Sequence, residues 1–194
     1  MIGRAIAELQ VGDRAEITRV VGDADIAAFV GAVGDDNPVH SDPVYAAGTV
    51  FKTPIAPGMF TAGLISAVIG TMLPGPGAIY ISQTLKFVKP VRAGDAITAR
   101  VEISEVIRDR NRVRLQTVCV NQDGEDVLAG EAWVMPSRTS VVYEERRPAL
   151  SSVAAWPLQP WAWAAQATMV WSALGLALMG TPIRGGAGES RGGG

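Results

Sequence analysis

The sequence predicts an α+β fold in which an antiparallel sheet wraps one long central helix, with an apolar C-terminal extension behind it. Three observations predict it. The run "GMFTAGLISAVIGTML", Gly58 to Leu73, has no charged residue, and a helix apolar on every side is normally buried on every side. Beyond Ala78 the pattern switches to period two: Ile97, Ala99, Val101 and Ile103 fall on one face, Thr98, Arg100, Glu102 and Ser104 on the other. The breaks between such runs are short, as at "QDGE", and short turns join antiparallel neighbours.

The elements follow in order. "DRAEITRV", residues 13–20, is a short first strand. "GDADIAAFVGAV" is a helix with Asp23 as its N-cap and Ile26, Phe29 and Val30 on one face. Asn37 and Pro38 break the chain after it, and "SDPVYAAG" restarts a short helix. There Ser41 or Asp42 caps, Pro43 fits the first helical position and Gly48 ends the helix. In the uncharged helix Ala62, Gly63, Ser66, Ala67 and Gly70 are small, so a sheet or second helix can approach its backbone closely. Each glycine costs roughly 1 kcal/mol against alanine, and tight packing is the expected compensation. Strands then follow in "AIYISQTLKFVKPV", "DAITARVEISEVIRD", "RVRLQTVCVN" and "DVLAGEAWVM".

Composition narrows the function. A formal charge of -2 provides no basic field for nucleic acid. One cysteine, Cys119, excludes an intramolecular disulfide, and with one histidine, His40, a conventional zinc site is not expected. No long apolar run follows the first arginine, so a signal peptide is not expected and the location expected is cytoplasmic. There is no Gly-x-Ser-x-Gly elbow, and "GTMLPGPG" lacks the lysine and hydroxyl of a phosphate loop.

The chemistry concentrates in "GDDNPVHSDPVYA", Gly34 to Ala46, which holds the chain's one imidazole. Asp35 stands five residues before His40 and Asp36 four. If the chain turns at Asn37-Pro38, either carboxylate can face the ring across one water, a pair suited to acid–base work. The bland alternative is a capping aspartate and a surface histidine in a polar turn, and spacing alone favours that one. A second feature is "TPIAPGMFTAGLIS", Thr53 to Ser66, with Pro57 expected at the first position of the central helix and Gly58 at the next. Helix N-termini leave amides unpaired, and glycine lets a substrate oxygen approach them. An ordinary proline-started core helix explains the same residues. Ser66 either bonds back to its own helix or faces the site.

Taken together and in this order, these stretches resemble the MaoC-like dehydratase family, in particular its (R)-specific enoyl-CoA hydratases. "LPGPGAIYISQTLKFVKPVRAGDAI" resembles the segment that follows, so the resemblance spans about residues 8–136. It implies a hot-dog fold, an antiparallel sheet around a central helix, paired as a homodimer. It implies Asp35 and His40 as the catalytic pair, Asn37 and Pro38 as support for their turn, and the Gly58 amide as the donor to a thioester oxygen. Ser66 corresponds to a hydroxyl near the active site. The family often has His-Gly where this chain has Pro57-Gly58, which leaves the amide in place and removes a side chain. The implied reaction is hydration of a trans-2-enoyl-CoA to the (R)-3-hydroxyacyl-CoA, which in relatives feeds polyhydroxyalkanoate synthesis. No cofactor or metal is expected, since CoA is part of the substrate. The competing expectations are a dehydratase of branched or dicarboxylic 3-hydroxyacyl-CoA, a hot-dog thioesterase, and a non-catalytic acyl-CoA binding module.

Composition changes near Arg147, and a boundary is expected at about residue 140: a catalytic domain over 1–140, then a Trp/Ala-rich segment and a Gly-rich flexible tail over 141–194. Pro148 to Ile183 carries no charge and holds four of the five tryptophans. "WAWAAQATMVWSALGLALMG", Trp161 to Gly180, is about 30 Å long as a helix, enough to span a bilayer. Its alanine and tryptophan content equally suits lying at a membrane or polymer-granule surface through residues 156–180, or packing on protein.

Overall fold

The computed structural model describes residues 1–144; the expected tryptophan-rich segment and tail lie beyond them, apart from the first few residues of that range. The strands are β1 (Ile2–Gly3), β2 (Arg14–Val20), β3 (Ile79–Phe87), β4 (Ala96–Ile107), β5 (Arg112–Val120), β6 (Asp126–Met135) and β7 (Val141–Val142). The helices are α1 (Asp23–Val33), α2 (Pro43–Ala47) and α3 (Gly58–Thr71). Five strands form one antiparallel sheet in the order β2-β4-β5-β6-β3, and β1 pairs with β7 in a small second one. The short turns expected between β4, β5 and β6 join sheet neighbours, as the hairpin rule requires. The sheet wraps α3, which packs on β4, β2, β5 and β3: a hot-dog fold.

The alternation is confirmed residue by residue. Ile97, Ala99, Val101 and Ile103 of β4 and Val113, Leu115 and Cys119 of β5 are fully buried. They meet Leu64, Ile65, Val68 and Ile69 from α3, and this contact is the core. Burial pushes the Cys119 thiol up to about 12, so it is packing material and not a nucleophile. Ile65 is fully enclosed, and truncating a residue of that kind leaves a cavity as well as losing transfer energy. Ile65→Ala is therefore expected to cost about 2–5 kcal/mol, read as a lower urea midpoint with an unchanged slope.

Three local expectations are corrected. Asp23 is not the cap of α1: Gly22 is, and Asp25 reaches back to the Gly22 N–H at 3.0 Å. Pro57 is the cap of α3 and not its first residue, which is Gly58. The central helix is also not buried on every side. Met59, Gly63, Ser66 and Gly70, at three- and four-residue spacing, form an exposed strip, because one sheet wraps only one side of a helix. Among the described residues, a Cβ on Gly63 or Gly70 would meet nothing within 4 Å, so the sheet's approach does not use these glycines. The short helix behaves as expected, with Asp42 accepting from Val44 and Tyr45, Pro43 in the first turn and Gly48 at the end.

The termini of the described region are clasped together. The Met1 ammonium donates to the Tyr143 carbonyl at 2.8 Å, and Ile6 N–H donates to Ser137 O at 3.1 Å. The Glu8 carboxylate accepts from Ala5 N–H and from the Ser140 hydroxyl, bonds that hold it below the usual glutamate range. Among the described residues no helix is long and apolar enough to cross a membrane.

Candidate active site

The histidine turn is built by its own residues. Gly34 closes α1 at φ 72°, a left-handed conformation glycine adopts without strain, and its N–H bonds to Val30 O at 2.8 Å. Pro38–His40 then form one turn of 3-10 helix, capped by Asn37, whose side-chain oxygen accepts from Val39 N–H at 3.3 Å. Val39 is buried and pins the turn to the core. Asn37 and Pro38 thus have a plain structural task, the cap and the start of the turn that presents His40.

The turn carries the imidazole inward. The His40 side chain is 9% exposed and that of Asp35 41%. His40 Nδ1 lies 2.8 Å from the Ile55 carbonyl. A carbonyl oxygen can only accept, so Nδ1 carries the proton and Nε2 is the nitrogen left for chemistry. Nε2 faces Asp35 Oδ2 at 3.5 Å, beyond a direct hydrogen bond yet close enough for one small polar molecule to touch both. Spacing left Asp35 and Asp36 both open; the carboxylate against the ring is that of Asp35, while Asp36 is exposed.

The second half is the start of α3. Gly58, as first helical residue, has an N–H with no intrahelical acceptor, at the end of the helix where partial positive charge gathers. A Cβ at this position would lie 2.7 Å from the Phe87 ring, so only glycine lets the ring and the backbone come together here. An open cavity of about 420 Å³ adjoins the start of α3, and Ile55, whose carbonyl meets His40, is its link to the histidine turn; His40 and Asp35 themselves are not among its walls. Ile55, Gly58, Phe51, Phe87, Val91 and Lys89 are among its walls, which are mainly apolar.

Sequence reasoning missed Phe51, Ile55 and Phe87. Ile55 acts on His40 through its carbonyl, and backbone atoms leave no residue-type signal. Phe87 was legible in principle, since it continues the Gln83, Leu85 face of β3 that pairs with inward residues of β6. Ser66 lies two turns along the exposed strip of α3, about 12 Å of helix rise from Gly58, and is not among the cavity's walls. Thr71, and not Ser66, is the residue of α3 that bonds back to its helix, from its hydroxyl to Ala67 O at 2.7 Å. Among the described residues no group of three or more His, Cys, Asp or Glu is arranged to hold a metal ion.

The structure thus joins a hot-dog sheet on a central helix, a carboxylate facing an imidazole on the turn after α1, and an unpaired amide at the start of α3. The chain belongs to the MaoC like domain family, whose model matches residues 7–125. It is 50% identical over 127 residues to a 3-hydroxybutyryl-CoA dehydratase of Methylorubrum extorquens, covering 66% of this chain and 80% of that one. It is 46% identical over 132 residues to an (R)-specific enoyl-CoA hydratase of Rhodospirillum rubrum, covering 68% and 91%. Among solved structures it is similar to the unliganded R-hydratase PhaJ1 from Pseudomonas aeruginosa, with TM-score 0.68 and 45% identity over 76% of this chain and 96% of that one. The (R)-hydratase of Aeromonas caviae involved in PHA biosynthesis gives 0.64 and 41% over 66% and 98%. The chain is accordingly a hydro-lyase, with hydratases and dehydratases as its relatives.

Proposed function

We propose that the chain adds water across the double bond of a trans-2-enoyl-CoA to form the (R)-3-hydroxyacyl-CoA, and catalyses the reverse elimination when product accumulates. The observation that carries this reading is the pair itself: His40 Nε2 at 3.5 Å from Asp35 Oδ2, with Nδ1 tied off by Ile55 O. The thioester oxygen lies at the Gly58 amide. Asp35 and His40 hold one water between them and remove its proton as its oxygen bonds to C3. The electron pair of the double bond moves toward the thioester, and the negative charge on its oxygen is met by the Gly58 N–H and the helix terminus. A proton from the same pair then reaches C2 on the face that received the hydroxyl, so water's atoms are fully accounted for. Because the two groups act as a unit, acid and base belong to the pair. The resemblance alone supports Ser66 as a substrate-binding hydroxyl, since it stands on the exposed strip of α3 and is not among the cavity's walls.

The names of the relatives support the acyl-CoA substrate, and the Aeromonas caviae enzyme supports supply of monomers for polyhydroxyalkanoate. The deciding experiment is hydration of crotonyl-CoA, followed as loss of enoyl-thioester absorbance, with the product's chirality determined. The (R)-alcohol without free CoA is expected. Free CoA detected by a thiol reagent would mean a thioesterase, and no reaction with crotonyl-CoA or longer and branched enoyl-CoAs would leave a binding module.

A homodimer completes this reading. Its support is that α3 exposes a strip of mostly small residues that no other described residue covers, and that edge strand β3 exposes Ile79, Ile81 and Phe87. Bare apolar edges of this kind invite a second chain. Sedimentation should give the mass of two chains; a single-chain mass at micromolar concentration would refute it. Contact with a membrane or granule through residues 156–180 rests on composition alone, and deleting residues 148–194 should then release the protein from the particulate fraction.

A further inference from the structure

We propose that Arg92 is a positioning residue for His40, acting through the segment Thr49–Pro57; as far as activity goes, this rests on the reading above. That segment runs from α2 to α3 without regular structure, and the site depends on it twice. Its Ile55 carbonyl holds His40 Nδ1, and its Phe51 and Ile55 side chains wall the cavity. Its far end is secured by backbone bonds, Ile55 N–H to Val39 O at 3.2 Å and Ala56 N–H to Val91 O at 2.7 Å.

Among the described residues, the stretch before that has no backbone bond to any element beyond the adjoining α2. Lys52 sits at φ 65°, a left-handed conformation uncommon for a residue with a side chain. On either side of Lys52 the guanidinium of Arg92 makes one bond each: Nε donates to Thr53 Oγ1 at 2.9 Å and Nη2 to Phe51 O at 3.1 Å. The other bonds to this stretch are local: Phe51 N–H donates to Thr49 Oγ1, and the Thr49 N–H and hydroxyl both donate to Ala46 O in the adjoining α2. Arg92 is itself held, its N–H donating to Asp95 Oδ2 at 2.8 Å, and its neighbour Val91 receives the Ala56 bond. A planar fork with donors at fixed separation suits two acceptors flanking a strained residue, and lysine's single ammonium does not. Arg92 thus clamps the unsupported half of the strap whose other half sets the histidine tautomer.

The chain's single histidine makes the test direct. In untagged protein, long-range ¹H–¹⁵N spectra of one imidazole report which ring nitrogen is protonated, without any assignment step. At a pH where the ring is neutral, the parent should show the Nδ1–H tautomer and Arg92→Ala a mixture of the two. With enoyl-CoA, Arg92→Ala should lower kcat about tenfold or more, Arg92→Lys should recover part of it, and Thr53→Val should shift tautomer and kcat the same way by less. Should Arg92→Ala not fold, Arg92→Lys and Thr53→Val carry the test. An unchanged tautomer in the folded variants overturns the proposal, and so does a rise in KM alone that fades with salt, which would make Arg92 a binding cation. Because the spectra need no turnover, an inactive parent would sink the hydratase reading and leave this one standing or falling by itself.

Discussion

Asp35→Asn is expected to lower enoyl-CoA turnover by about 10²–10⁴-fold with folding essentially unchanged. The change swaps one oxygen for an amide, removing the charge and the ability to take a proton, and keeps the volume. The Asp35 side chain is 41% exposed, and its remaining contact, acceptance from Asn37 N–H at 3.4 Å, is weak and can pass to the amide oxygen. Substitutions at sites of that kind usually move stability by no more than about 0.5 kcal/mol. His40 needs a different choice. His40→Gln removes the ring and the bond to Ile55 together, whereas His40→Asn places a side-chain N–H where Nδ1 stood and deletes Nε2. His40→Asn should therefore stay folded and lose activity to a similar degree. Steady-state kinetics beside a urea titration checks both, and full activity in either variant removes the pair from the mechanism.

Gly58→Ala is the second large effect, and it acts by space. The new methyl would stand 2.7 Å from Cε1 and 3.0 Å from Cδ1 of Phe87, closer than carbon atoms sit. Phe87 is half exposed and can swing away, so the helix survives and gains alanine's propensity. The displaced ring and the added methyl both intrude on the cavity at the amide that receives the thioester oxygen in the proposed mechanism. Misplacement on the order of 1 Å costs about 10²-fold in rate, and a loss of that size in kcat/KM is expected. Gly58→Ala combined with Phe87→Ala tests the cause, since removing the ring should return part of the activity. If the double variant is no better than Gly58→Ala, crowding by Phe87 is not the reason.

Much of this is legible in the residue types and their spacing. Strands over 96–135 were readable because side chains on a strand alternate, and burial on one face forces the alternation into the sequence. The short helix at Pro43–Ala47 was readable because capping is a contact between near neighbours. The cap of α1 was misassigned because Asp23 and Asp25 both lie near the start, and which one turns back on the Gly22 N–H depends on the entry of the chain. The exposure of α3 was missed for a larger reason. An uncharged sequence states that a helix avoids water, and it does not state whether one chain or two supply the cover.

The candidate site divides along the same line. The sequence by itself determined the fold's periodicities, the turn at Asn37-Pro38 and the presence of a carboxylate within five residues of the imidazole. These are short-range facts, written in residue types and their spacing. Spacing left Asp35 and Asp36 open and the motif's resemblance favoured Asp35, which the structure sets against the ring; only the tertiary structure decided that the Ile55 carbonyl holds the ring's other nitrogen. It also decided that Phe87 closes over Gly58 and that Arg92 reaches back across the chain to the strap. Those relations join residues far apart in sequence or act through backbone atoms, which every residue shares, so no local pattern could have carried them.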